Sequence, residues 1–286
     1  MPELPEVETI IQRLRQGTQN HPSVTGQVIQ SVQITWDRAV ASPDPETFQL
    51  KLFGQKVMDA RRRGKFLHFP LSQSHFIAHL RMSGDMRMES RLNPDGQPTP
   101  LQPYDRVVLN FEAPWRLAFS NIRKFGRVWL VTNPDEVFAD LGPEPLSDAL
   151  TDDQLYHMLQ RHKRQIKPLL MDQHFIAGLG NIYTDESLFR AKIHPLRLAA
   201  SISRSEARNL FIAISETLKE GIRRNGASLD WIYRGGDFQN YFKVYQRKDQ
   251  PCLECGTIIQ KTIVGQRGTH FCPNCQKNAP STTQGE

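Results

Sequence analysis

The residues best suited to chemistry stand at the start of the chain, in Met1-Pro2-Glu3-Leu4-Pro5-Glu6-Val7-Glu8. Removal of Met1 exposes the secondary amine of Pro2 beside the carboxylate of Glu3. An α-amino group has a reference pKa of about 7.7–8.0 against about 10.4 for lysine, so near neutral pH roughly a tenth of it is uncharged and able to attack. A secondary amine that adds to an aldehyde gives an iminium with no N–H left to lose. The adduct stays cationic and draws electrons from neighbouring carbons, which suits Schiff-base catalysis of a sugar elimination. A second constellation lies near the other end, where all the cysteines fall in two Cys-x-x-Cys pairs, Cys252 with Cys255 and Cys272 with Cys275. In a reducing compartment this spacing favours one tetrahedral Zn2+ over disulfides. With every ligand position taken by a thiolate, such a zinc is structural and activates no water. The segment between the pairs alternates apolar residues and carries Gly265 and Gly268, so it suits a β-hairpin with Arg267 near its tip, within reach of a phosphate.

These groups need elements to hold them. Pro5 fits a first helical turn, and Val7, Ile10, Ile11 and Leu14 recur at helical spacing before Gly17, so Pro2 and Glu3 sit just ahead of a helix N-terminus. Glu6 and Glu8 complement the positive end of that helix, and Glu6 is also a candidate site residue. Strand-like segments follow at 28–36, 56–60, 65–69, 76–82, 106–111, 116–120 and 127–131, separated by turns. From Thr151 the periodicity becomes helical. Thr151 with Gln154 and Ser203 with Glu206 form capping boxes, and two further helices, 166–171 and 181–190, flank a turn containing Gly178 and Gly180. The expected fold class is therefore α+β and multidomain. An N-terminal β-sandwich with flanking helices spans 1–131, a linker 132–150, a helical domain with a mobile loop 151–241, a zinc module 242–276 and a disordered tail 277–286.

The chain has 286 residues and a formal charge of +6, which hints at a polyanionic partner. Arg61-Arg62-Arg63 with Lys65, Arg123-Lys124 with Arg127, and Arg161 with Lys163-Arg164 are each ordinary solvated surface when taken alone. Folding can gather them into one groove. The first apolar segment is an amphipathic helix bearing Arg13 and Arg15 rather than a secretory leader, and no apolar run is long enough to span a membrane. The expectation is a cytoplasmic protein, associated with the nucleoid through DNA, and monomeric.

Four motifs occur together and in order: the N-terminal Met-Pro-Glu-Leu-Pro-Glu-Val-Glu-Thr, Arg123-Lys124-Phe125-Gly126, Gly178-Leu179-Gly180-Asn181-Ile182-Tyr183, and the four-cysteine hairpin with Gln266-Arg267-Gly268-Thr269. Over its whole length the chain resembles the bacterial formamidopyrimidine-DNA glycosylases, which remove 8-oxoguanine and ring-opened purines. The resemblance implies a helix-two-turn-helix element in the helical domain and double-stranded DNA held in a cleft. It implies that Pro2 is the Schiff-base nucleophile and Glu3 the acid that assists opening of the deoxyribose. Lys65 contacts phosphate and serves β-elimination, and Arg267 serves the δ step. His79 and Asn181 match further phosphate contacts, while Met82, Arg123 and Phe125 match the residues that fill the gap left by an everted base. Tyr104 stands where the family often carries histidine, so its DNA contact is the weaker expectation. Endonuclease VIII, which prefers oxidised pyrimidines, is the alternative within the same architecture. Leu4 and the intact Arg123-Lys124-Phe125 argue against it, and the catalytic residues argue against a purely DNA-binding protein.

Overall fold

The computed structural model describes residues 1–228 and 235–278. Two expectations lie wholly or mostly outside the described residues: the central part of the loop, 229–234, and the tail from 279 onward. The chain divides into two compact units, Met1–Asp140 with Asn225–Gly236, and Leu141–Arg224 with Asp237–Glu286. Among the described residues no helix is long and apolar enough to cross a membrane.

The first unit begins with helix α1 (Leu4–Gln16), with Glu3 in extended conformation at its N-cap. The carboxylate of Glu6 accepts the Glu3 backbone N–H at 2.8 Å, satisfying a donor that the first helical turn leaves without an intrahelical partner. Leu4, Val7, Ile10, Ile11 and Leu14 are buried, as their spacing requires. They meet a sandwich of two sheets. One is ordered β1 (Ile29–Ile34), β7 (Asp105–Phe111), β8 (Trp115–Asn121), β6 (Gly84–Ser90), and the other β2 (Val40–Ser42), β9 (Arg127–Val131), β5 (His75–His79), β4 (Phe66–Pro70), β3 (Arg61–Arg63). Every pair is antiparallel except β2 with β9. Leu109, Leu117 and Phe119 of the first sheet share one core with Leu67, Phe69 and Phe76 of the second and with Ile10 and Leu14.

Several features differ from the sequence expectation, the short strands β2 and β3 among them. The segment 56–60 is not a strand, because its backbone bonds go to separate partners: Val57 N–H to Gln27, Met58 N–H to Pro70, and Ala60 N–H to the Asp59 side chain. Helix α2 (Pro45–Leu52), capped by Asp44 on the Thr47 N–H at 3.0 Å, was not expected. Nor was β6, although its buried Met86 and Met88 alternate with more exposed Asp85, Arg87 and Glu89 at the period of a strand. The stretch 132–150 contains a short helix, α3 (Asp135–Phe138), whose Phe138 ring packs edge-on against Phe66 at 5.7 Å.

The second unit contains α4 (Asp152–Gln160), α5 (Ile166–Leu170), α6 (Asn181–Arg190) and α7 (Arg204–Arg223), with both expected capping boxes in place. It ends in the hairpin β10 (Gln260–Val264) and β11 (Arg267–Phe271). Two adjacent acids on α6 tie that helix to segments distant in sequence. Asp185 pairs with Lys167 Nζ at 2.6 Å and accepts the His270 N–H at 2.8 Å. Glu186 accepts the backbone N–H groups of Lys243, Val244 and Tyr245 at 2.9, 3.0 and 2.8 Å. Burial pushes its carboxyl pKa up, and these three donors oppose that push.

Candidate active site and zinc hairpin

In the first unit, Pro2, Glu3 and Glu6 are buried around the N-terminus of α1. Glu6 faces protein on both sides, since its second oxygen accepts the Ala227 N–H at 2.8 Å. It therefore ties the helix start to the segment that leads into the loop. The β3–β4 hairpin packs on the same helix, where Arg62 Nε reaches Glu8 at 2.8 Å. Lys65 occupies the turn of that hairpin and is buried. His79, at the end of β5, is paired in register with Phe66, the residue after Lys65.

His79 is held neutral. Burial first, then the positive charges of Arg81 and Lys65, lower its pKa to about 3. Its Nδ1 accepts the Arg81 N–H at 3.1 Å, which leaves the ring proton on Nε2, where it can donate. The consequence for stability follows from linkage. The folded pKa lies below that of the unfolded chain, so the stabilisation is complete above the unfolded value of about 6.5 and is lost as pH falls from there towards 3. At pH 4.5 this one group should cost about 2–3 kcal/mol. His68, lowered to about 4 by burial and then by His75, acts in the same direction. Thermal melts at pH 7 and 4.5 should therefore show a smaller acid-induced fall in Tm for His79→Gln than for the parent chain. An equal fall in the two would remove His79 from the account.

Met82, Tyr104, Arg123 and Phe125 form another group of the first unit, on turns at the ends of β5 to β9. An Arg123 guanidinium nitrogen lies 3.7 Å from the Met82 sulfur. Asn181 and Arg267 belong to the second unit. Asn181 opens α6, and its side-chain N–H donates to the Gly268 carbonyl at 3.1 Å. Its Oδ1 is buried without a hydrogen-bond partner among the described residues. Arg267 is exposed at the start of β11, and Lys167 Nζ reaches the same Gly268 carbonyl at 3.1 Å. The hairpin tip is thus pinned beside the start of α6.

The sulfurs of Cys252, Cys255, Cys272 and Cys275 all lie within 4.8 Å of one another, with Cys255 at 3.5 Å from Cys272 and 3.4 Å from Cys275. A tetrahedral ion at about 2.3 Å from each sulfur places thiolates about 3.8 Å apart, so the cluster fits Zn2+. Backbone N–H groups of Glu254 and Cys275 point at Cys252 and Cys272 sulfurs, the support a thiolate needs.

Sequence reading missed Lys167, Asp185, Glu186 and Asn121. The signal was present in the first three, as charged residues on helical positions otherwise filled by Ile166, Leu169, Leu170, Ile182 and Leu188. Asn121 carried none, because a polar residue at a strand end reads as a turn.

A β-sandwich domain headed by a buried Pro-Glu pair, followed by a helical domain and a four-cysteine hairpin, defines a zinc-finger protein of the helix-two-turn-helix class. Comparison makes this specific. The formamidopyrimidine-DNA glycosylase N-terminal domain matches residues 1–128, the H2TH domain of the same enzymes matches 141–231, and the zinc finger found in FPG and IleRS matches 249–278. Formamidopyrimidine-DNA glycosylases of Protochlamydia amoebophila and Geobacillus kaustophilus are each 41% identical, over 97% of this chain and 100% of theirs. Among solved structures, Lactococcus lactis Fpg bound to DNA containing an abasic site is 34% identical with a TM-score of 0.85, covering 96% of this chain and 99% of that one. The complex of wild-type L. lactis Fpg with DNA containing N7-benzyl-Fapy-dG gives 34% and 0.86, covering 96% and 100%. The chain belongs to the formamidopyrimidine-DNA glycosylase family.

Proposed function

We propose that the protein is a bifunctional base-excision repair enzyme that removes oxidised purines from double-stranded DNA and cuts the strand at the resulting abasic site. The supporting observation is the burial of Pro2 and Glu3 at the positive end of α1. Loss of Met1 leaves a secondary amine there, which is a nucleophile in its uncharged form. In the proposed reaction the Pro2 nitrogen bonds to C1′ of the damaged nucleotide, the C1′–base bond breaks with its electron pair going to the base, and the proton given up by the Pro2 nitrogen neutralises the departing base. Glu3 supplies the proton that opens the sugar at O4′, giving an iminium. Loss of a proton from C2′ then expels the 3′ phosphate, and a second elimination expels the 5′ phosphate. Lys65 serves the β step and Arg267 the δ step, with His79 and Asn181 as phosphate partners.

Everting a base costs a few kcal/mol, and stacking on an aromatic returns roughly 1–3 kcal/mol, so Met82, Arg123 and Phe125 offset much of the cost by filling the vacated space. The deciding experiment compares single-turnover excision from duplexes containing 8-oxoguanine and thymine glycol. Faster release of 8-oxoguanine is expected. A clear preference for thymine glycol would replace the purine reading with the pyrimidine specificity of endonuclease VIII, and release of neither base would leave only DNA binding.

A further inference from the structure

Four large apolar side chains stand in solvent on neighbouring turns of the first unit: Met82 is 42% exposed, Tyr104 46%, Ile122 42% and Phe125 55%. Beneath them Asn121, the last residue of β8, is fully buried. Each of its polar groups is committed. Its backbone N–H donates to the Tyr104 carbonyl at 2.9 Å, and its own carbonyl accepts from Arg106 Nε at 3.0 Å. Its side-chain Nδ2 donates to the Leu80 carbonyl at 2.9 Å, and its Oδ1 accepts the Phe125 N–H at 2.9 Å. One amide thus spans the turn that carries Met82 and the turn that carries Arg123 and Phe125.

Two further features show that these turns are held rather than relaxed. Arg81, Ser83 and Lys124 adopt φ values of 50, 66 and 61°, a left-handed conformation that side-chain-bearing residues keep only where surroundings enforce it. The backbone also approaches the amide closely. A Cβ at Gly84 would fall 2.8 Å from Asn121 Nδ2, and one at Gly126 would fall 2.7 Å from it.

We infer that Asn121 is a positioning residue for the wedge, fixing the two turns at one separation so that Met82, Arg123 and Phe125 enter the duplex together. The inference rests on the proposed base eversion and goes beyond it by naming what keeps the wedge pre-formed. A wedge whose turns must be ordered during insertion recovers less of the cost of unstacking. The effect should therefore fall on substrates whose base must be everted and much less on a duplex that already lacks the base.

The test uses Asn121→Leu, which keeps the branched shape and removes both amide bonds, and Asn121→Ala in case the bulkier leucine prevents folding. Single-turnover excision is measured on an 8-oxoguanine duplex, borohydride trapping on a preformed abasic duplex, and eversion by the fluorescence of 2-aminopurine beside the lesion. The expected result is a tenfold or greater fall in excision with a matching loss of the fluorescence step, while abasic trapping falls less than threefold. Equal losses on both substrates would reduce Asn121 to general stability and overturn the inference. So would unchanged excision in the Asn121 variants while Met82→Ala and Phe125→Ala lower it. If Met82→Ala and Phe125→Ala leave excision unchanged, the wedge reading itself fails, and the role of Asn121 fails with it.

Discussion

A chain that keeps Met1 is expected to give no borohydride-trapped adduct with either an 8-oxoguanine duplex or an abasic one, while still binding both. With Met1 in place the Pro2 nitrogen is a tertiary amide whose lone pair is delocalised into the carbonyl, so it cannot add to carbon. Losing the nucleophile should lower strand cleavage on the order of a thousandfold or more, since the remaining groups act only through the covalent intermediate. Pro2→Gly makes a sharper comparison when Met1 is removed. It restores an amine, now primary, but frees a backbone that proline holds, so cleavage should fall roughly fivefold for about 1 kcal/mol of added freedom. Intact mass before each assay separates processed from unprocessed chain, and peptide mapping of the trapped complex locates the bond. An adduct mapped to Lys65 in the processed enzyme would move the nucleophile to that side chain and leave Pro2 with a packing role.

The legibility of this chain follows the range of the interactions concerned. Helix α1, its Pro-Glu start and both capping boxes are local devices, written within a few residues, and they read directly. The zinc knuckles are equally local in each half, and only their meeting is a matter of fold. Strands β4, β5, β7, β8 and β9 could be recognised from their β-branched and aromatic residues. Segment 56–60 looked alike but is spent on single bridges, because propensity cannot tell which partner lies beside an extended segment. Helix α2 is not legible although Asp44-Pro45 is a fair start signal, for it shows little amphipathic contrast and leaves Leu50, and Phe53 just after its end, in solvent. Long-range polar contacts were the least legible. Glu6 meeting Ala227, Lys167 meeting Asp185, and Asn121 linking Leu80 to Phe125 join residues whose sequence gives no sign of the partner. The resemblance to a known family supplied candidate residues for the site, but Asn121 was not among them.

Removal of zinc is expected to melt the hairpin while leaving the helices of the second unit standing. The two-stranded pair β10–β11 is marginal by itself, and the small core beneath it consists of Phe189, Val244 and Ile259 with Cys252 and Cys272, so two of its five members are ligands. Structural zinc contributes about 10–16 kcal/mol in small finger modules, far more than that core can replace. Helices α4, α6 and α7 instead share contacts of their own, and Glu186 keeps its grip on residues 243–245. Chelation, or Cys255→Ser, should therefore expose the stretch 252–276 to protease while far-ultraviolet helical signal falls little. Arg267 loses its fixed place with the hairpin, because Gly268, which follows it, is what Lys167 and Asn181 hold. If Arg267 neutralises a phosphate, the slope of log affinity against log salt should drop by about 0.9 on zinc loss, and Arg267→Ala in the zinc-loaded protein should drop it by the same amount. A metal-free protein whose slope is unchanged would show that the hairpin is held by α5 and α6 without the ion and that zinc is dispensable for the DNA contact.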